Sequence, residues 1–148
     1  MNYFIYSFKA LILFFFLISS VAAKESKYFN DGKKLFLEKD FEKSKFYFEK
    51  DIVFNPKSEN AYLYLAKIHE KNNNKKKQEI NLNNVLILNP KNEEAIYMMM
   101  KIKISESDFL ETDILLKKFE LICTSLCSKK SEIKKEINNL SNNTLEKN

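Results

Sequence analysis

Two prolines set 34 residues apart constrain this chain more than any other feature. Pro56 ends the run Ile52-Val53-Phe54-Asn55, and Pro90 ends Leu86-Ile87-Leu88-Asn89. The same translation carries Tyr28 onto Tyr62 and Ile96, Gly32 onto Ala66 and Met100, Phe48 onto Leu82 and Leu116, and Phe54 onto Leu88 and Ile122. Asp40, Asn74 and Asp108 coincide just before Phe41, Lys75 and Phe109, where a turn is expected. Self-similarity at such a period signals stacked supersecondary units. Between these points the apolar spacing is helical. Ala61, Tyr62, Leu65, Ala66 and His69 fall on one face, as do Leu82, Val85 and Leu86. Each unit therefore reads as helix, tight turn, helix, and then a proline that stops the second helix.

The units run 25–58, 59–92 and 93–122. In period and proline placement the chain resembles a tetratricopeptide repeat protein. Tyr28 and Tyr62 take that family's early aromatic site. Gly32, Ala66 and Ser44 take the small sites where paired helices touch. Met100, Gln78, Thr112 and Asp51 depart from the family pattern, and Thr124 stands where a third proline would be. The fold class expected is all-α, a short right-handed solenoid of helix hairpins. Hairpins cannot bury their apolar faces alone, so the last needs a cover. Leu126, Ile133, Ile137 and Leu140 form one stripe among lysines and glutamates, which predicts a capping helix over about 126–140. Three hairpins and a cap make seven helices. The polar stretch 141–148 is expected to fray.

The amino terminus reads as a targeting segment. Lys9 precedes the apolar run from Ala10 to Ile18, followed by Ser19-Ser20 and Val21-Ala22-Ala23. A positive start, a short apolar stretch and small residues at its end make a signal peptide over 1–23, cleaved after Ala23. The chain from 24 on is then exported, to the periplasm or exterior of a bacterium. The competing reading is a retained membrane anchor over residues 3–23.

Composition excludes several functions. The one glycine, Gly32, cannot write a nucleotide-binding fingerprint. His69 is the sole histidine, and no carboxylate pair, nucleophile elbow or metal-ligand cluster stands out. No reaction and no cofactor are expected. The net charge of +5 comes entirely from lysine, with no arginine. Readers of nucleic acid favour arginine for its bidentate contacts, so a solvated lysine surface is the better account and no nucleic-acid partner is expected.

Lys33, Lys67 and Lys101 are equivalent under the 34-residue shift. The resemblance implies that the first helix of each hairpin lines a concave groove and that these lysines point into it. With Phe29, Leu63 and Tyr97 beside them, they form the candidate partner-binding set, suited to an acidic protein or peptide segment. The plainer reading is chance, because lysine is the commonest basic residue here.

Cys123 and Cys127 are an even pair in an exported chain, which favours a disulfide. In a continuous helix their Cβ atoms would lie about 5–6 Å apart, too far for the bond, so the bridge requires a break at Thr124-Ser125. Free thiols are the alternative. Ser128 stands where haem attachment would need histidine. His69 reads as a packing or groove residue. Met98-Met99-Met100 point in different directions and suit soft core filling rather than a metal stripe.

The expected function is an exported, non-enzymatic scaffold or adaptor. The first alternative is a thiol-active or redox-regulated envelope factor using Cys123 and Cys127. The second is a membrane-tethered assembly subunit. The uncovered end of the first hairpin leaves a homodimer open.

Overall fold

The computed structural model describes residues 25–145, with side chains through Leu140. The signal-peptide and anchor readings lie outside these residues. The described chain is all helical: α1 Lys27–Leu37, α2 Phe41–Phe54, α3 Glu59–Lys71, α4 Lys75–Leu88, α5 Glu93–Ser105, α6 Phe109–Ile122 and α7 Lys129–Leu145. Each helix packs on the next through α6, and α7 lies on α5 and α6. The result is a helical-repeat stack closed at one end, as the periodicity requires. No helix among the described residues is long and apolar enough to cross a membrane.

The turns within the hairpins repeat in detail. Asp40, Asn74 and Asp108 cap α2, α4 and α6, their side chains accepting from the backbone N–H of Lys43, Lys77 and Glu111. Just before each cap, Lys39, Asn73 and Ser107 adopt φ of 64°, 52° and 59°. This left-handed step reverses the chain, at some cost to a residue with a Cβ.

Two clusters form the core. Around the first hairpin it is aromatic, with Phe29, Phe48, Ala61, Leu65 and Ile68 buried and Phe36, Phe41 and Tyr64 against them. Phe48 and Tyr64 stack with ring centres 4.9 Å apart, and Phe36 meets Tyr64 edge-on at 5.0 Å. Gly32 makes room for this: a Cβ there would lie 2.9 Å from the Phe48 ring. Ser44 ties the same pair of helices, donating to the Gly32 carbonyl at 2.8 Å. The second cluster is aliphatic and sulfur-rich. Met98, Met99 and Met100 are all buried in it, with Leu82, Leu116, Phe119 and Ile133.

At Met100, Thr112 and Asp51, which depart from the family pattern, the structure shows what surrounds the side chain. Met100 occupies the equivalent of Gly32, but Leu116 occupies the equivalent of the larger Phe48, and both are buried. Thr112 is buried with its hydroxyl donating to the Asp108 carbonyl at 2.7 Å. Asp51 is wholly buried and accepts from the hydroxyls of Ser26 and Ser58. One carboxylate on α2 thus joins the starts of α1 and α3.

The carboxy-terminal helix departs from expectation at both ends. It begins at Lys129 rather than near 126, because the chain leaves helical geometry at Cys123 and turns through 128. It continues to Leu145, so the stretch from Ser141 is helical rather than frayed up to that point. No proline or glycine stands there to stop it. Ile133 is wholly buried, and Leu126 and Ile137 pack on the second cluster, while Leu140 is exposed.

Candidate peptide-binding groove

The first helices of the hairpins, α1, α3 and α5, face a shared cleft of ≈ 310 Å³. Phe36 comes from α1. Lys67, Glu70 and Lys71 come from α3, and Glu94, Tyr97, Met98 and Lys101 from α5. Three of the six sequence-nominated residues, Lys67, Tyr97 and Lys101, therefore line one surface.

The other three do not join them there. Phe29 and Leu63 are buried in the two core clusters and are not presented to a partner. Lys33 is exposed on α1, its ammonium 5.9 Å from the centre of the Phe29 ring. Under the 34-residue shift these positions are equivalent, but their neighbours are not. The aromatic cluster draws Phe29 inward, and α3 lies between two layers that bury Leu63.

Charge in the cleft is more balanced than a lysine row alone would give. Lys67 is ion-paired with Glu94 at 2.9 Å and lies 5.0 Å from the centre of the Tyr64 ring. Glu70 lines the same wall, so three lysines meet two glutamates. Lys101 stays exposed, 6.0 Å from the Tyr97 ring centre. Tyr97 donates its hydroxyl to Glu132 of α7 at 2.5 Å, and its pKa is raised by burial first and by this carboxylate second. Glu132 is held below the usual carboxylate range by Lys129 first and Tyr97 second. One wall of the cleft is thus braced by the covering helix.

Sequence reasoning missed Phe36, Glu70, Lys71, Glu94 and Met98. A signal existed for two of them: Glu70 and Lys71 are three and four residues beyond Lys67, one turn along the same face.

His69 is buried rather than in the cleft, and its pKa is lowered, chiefly by that burial and then by Lys77 and Lys45. Cys123 and Cys127 are disulfide-bonded with Cα atoms 5.2 Å apart. The chain between and beyond them is non-helical to 128, which supplies the break the bond required. The carboxylate of Glu93, the first residue of α5, collects this segment. It accepts from the backbone N–H of Thr124 at 2.7 Å and of Leu126 at 2.8 Å, and from the Thr124 hydroxyl at 2.6 Å. Ser125 contributes its N–H and hydroxyl as well. These donors depress the Glu93 pKa to about 2, the Thr124 hydroxyl foremost. Glu59, its equivalent one unit earlier, accepts from the amides of Asn89 at 2.9 Å and Asn92 at 2.6 Å. Among the described residues, no group of three or more His, Cys, Asp or Glu side chains is placed to hold a metal.

Comparison with solved structures places this architecture. The Yersinia enterocolitica type III secretion chaperone SycD, determined in complex with a peptide of the translocator YopD, matches with a TM-score of 0.67. Identity is 7%, and the match covers 80% of this chain and 92% of that one. The fold is that of a tetratricopeptide-like helical stack. A chain of the CopN–Scc3 complex matches with a TM-score of 0.61 at 20% identity, covering 85% of this chain and 72% of that one. No protein-family model matches the sequence, and no curated protein matches it significantly.

Proposed function

We propose that this chain is an exported, non-enzymatic adaptor that holds a segment of another protein against α1, α3 and α5. The observation that carries the reading is the cleft on those helices, where exposed Lys101 and the Lys67–Glu94 pair flank Tyr97 and Met98. An aromatic and a thioether offer apolar contact area, and the charges beside them set register. SycD, similar in fold, binds a peptide of its translocator, which agrees with this use of such a scaffold. Lys33 stands exposed on α1 outside the cleft, so an acidic segment lying across the three helices would meet exposed lysines there and at Lys101. Phe29 and Leu63 are buried in the two core clusters and are left out of the proposed contact surface.

Export rests on the segment 1–23 and agrees with a bonded cysteine pair. The bond is read as a structural clip on the turn into α7. The loop's N–H groups are engaged by the Glu93 carboxylate, so they are not free to stabilise a thiolate. That neighbourhood gives the thiol-active alternative little support.

The test is crosslinking capture from the envelope fraction with the chain as bait, together with its intact mass. A recurrent partner whose affinity falls about tenfold in Lys67→Glu at low salt supports the groove reading. Capture of that partner undiminished by Lys67→Glu and Lys101→Glu would locate binding elsewhere. An intact mass that includes residues 1–23 would replace export of a free chain with a membrane-tethered subunit.

A further inference from the structure

Lys33, Lys67 and Lys101 are equivalent under the 34-residue shift, but only Lys67 carries a carboxylate of its own chain upon it. Glu94, twenty-seven residues on, is the second residue of α5 and pairs with Lys67 at 2.9 Å. At the same remove from Lys33 stands Asn60, the second residue of α3, and from Lys101 stands Ser128, just before α7. Neither bears a charge. Lys33 and Lys101 are exposed, and among the described residues neither makes an ion pair.

The two halves of the Lys67–Glu94 pair are held unequally. The Lys67 side chain is 23% exposed, and its ammonium rests 5.0 Å from the centre of the Tyr64 ring, a favourable place for a cation. The Glu94 side chain is 43% exposed, and among the described residues no other polar contact holds its carboxylate. The ammonium is part of the wall, while the carboxylate can turn away to water.

We propose that Glu94 is a built-in competitor, seated on Lys67 where a ligand's carboxylate would sit, and that it sets how acidic a segment must be to enter the cleft. The inference rests on the groove reading above. A neutral segment cannot take over an ion pair. A segment with one carboxylate exchanges one pair for another and gains nothing, while the displaced Glu94 stays beside it and repels it. Entry then needs more: a further carboxylate for exposed Lys101 or Lys33, or apolar contact at Tyr97 and Met98. Selectivity of this kind comes from a penalty on the wrong ligand as much as from contact with the right one.

The other charges around the cleft do not take this part. Glu70 lines the wall one turn beyond Lys67 without an ion pair, and its charge reaches Tyr97. Lys71 lies 5.1 Å from the centre of the Phe41 ring. Glu132 is engaged by Tyr97 and Lys129, and Lys101 acts on it by charge without an ion pair. Of these three carboxylates, only Glu94 closes on a lysine that lines the cleft.

The test uses the chain purified after expression with its own leader, and two short soluble peptides as probes. One consists of glutamates interspersed with tyrosine. In the other, glutamine replaces every glutamate. Binding is read by fluorescence anisotropy, and its place by the methyl resonance of Met98. At low salt, Glu94→Gln should bind the acidic probe about fivefold more tightly than the unaltered chain does, with the neutral probe unchanged. The gain should vanish when Lys67→Gln is added, because no ammonium is then left to uncover. Glu120→Gln, the same change of charge on α6 outside the cleft, should leave the affinity unchanged. Binding of the acidic probe at Met98 that Glu94→Gln leaves as it was, or weakens, overturns the proposal and leaves the groove reading standing. So does a gain that survives Lys67→Gln, is matched by Glu120→Gln or extends equally to the neutral probe. No binding at Met98 by either probe, in the unaltered chain or in Glu94→Gln, overturns the groove reading and the proposal with it.

Discussion

The first and last hairpins share a backbone plan and differ in what fills and closes it. Between α1 and α2 the filling is a glycine against a phenylalanine, with Tyr64 stacked behind. Between α5 and α6 the equivalent positions hold Met100 and Leu116. Bulk has moved from one helix to the other while the fit is kept, which explains how a methionine can stand where a small residue is usual. The ends differ as well. The first hairpin is joined to the second by the buried carboxylate of Asp51. The last is covered by α7, clipped by a disulfide and gathered by Glu93. Rings fix the first hairpin by shape. Flexible side chains fill the last, and ties along the chain hold it in place.

The sharpest way to break this comparison is to remove the ring. Phe48→Ala should destabilise by about 3–5 kcal/mol in urea denaturation, while Met98→Leu should cost under about 1.5 kcal/mol. Equal losses would mean that the two cores do not differ in how strictly they specify shape. A two-residue cycle tests the exchange of bulk directly. Gly32→Ala presses on a ring with no free space and should destabilise by about 1–3 kcal/mol despite its better helix propensity. Combined with Phe48→Leu, which recreates the Ala66 and Leu82 pairing of the middle hairpin, it should cost less than the sum of the single changes by about 1 kcal/mol.

Opening the disulfide should have a smaller effect, about 2 kcal/mol at most for so short a loop. Hydrogen exchange should show faster opening of α7 and leave α1 and α2 unchanged. Uniform loosening would mean that the two ends are not energetically distinct. The smallest effect concerns Glu93. Its folded-state pKa, about 2, lies below the ordinary 4.5, so its ionised form favours the fold. That contribution is complete above pH 4.5 and fades as the pH falls toward 2. The melting temperature of the unaltered chain should therefore drop more across that range than that of Glu93→Gln.

The period made the architecture legible. Pro56 and Pro90 end helices, and Asp40, Asn74 and Asp108 begin them, through local rules a sequence displays. Burial was harder to read. Phe29, Leu63 and Tyr97 are equivalent in register, but only Tyr97 reaches the cleft, because the neighbouring side chains differ from hairpin to hairpin. The start of α7 was misplaced because the bend through 123–128 is held by Glu93, more than thirty residues away. Spacing within a helix carries no trace of such a contact. The Glu94 partner of Lys67 was missed for the same reason.

The carboxylates that begin α3 and α5 have a consequence for how such a chain can change length. Glu59 receives donors from Asn89 and Asn92, and Glu93 from Thr124, Ser125 and Leu126. In both cases acceptor and donors belong to one hairpin and its exit. A gene duplication or deletion spanning 59–92 would thus copy or remove the Glu59 set whole, though a deletion would also take the partners of Glu94, Ala95 and Lys103. The number of hairpins is in that sense a heritable dial, turned in steps of 34 residues, with the side chains packed across each seam left to adapt.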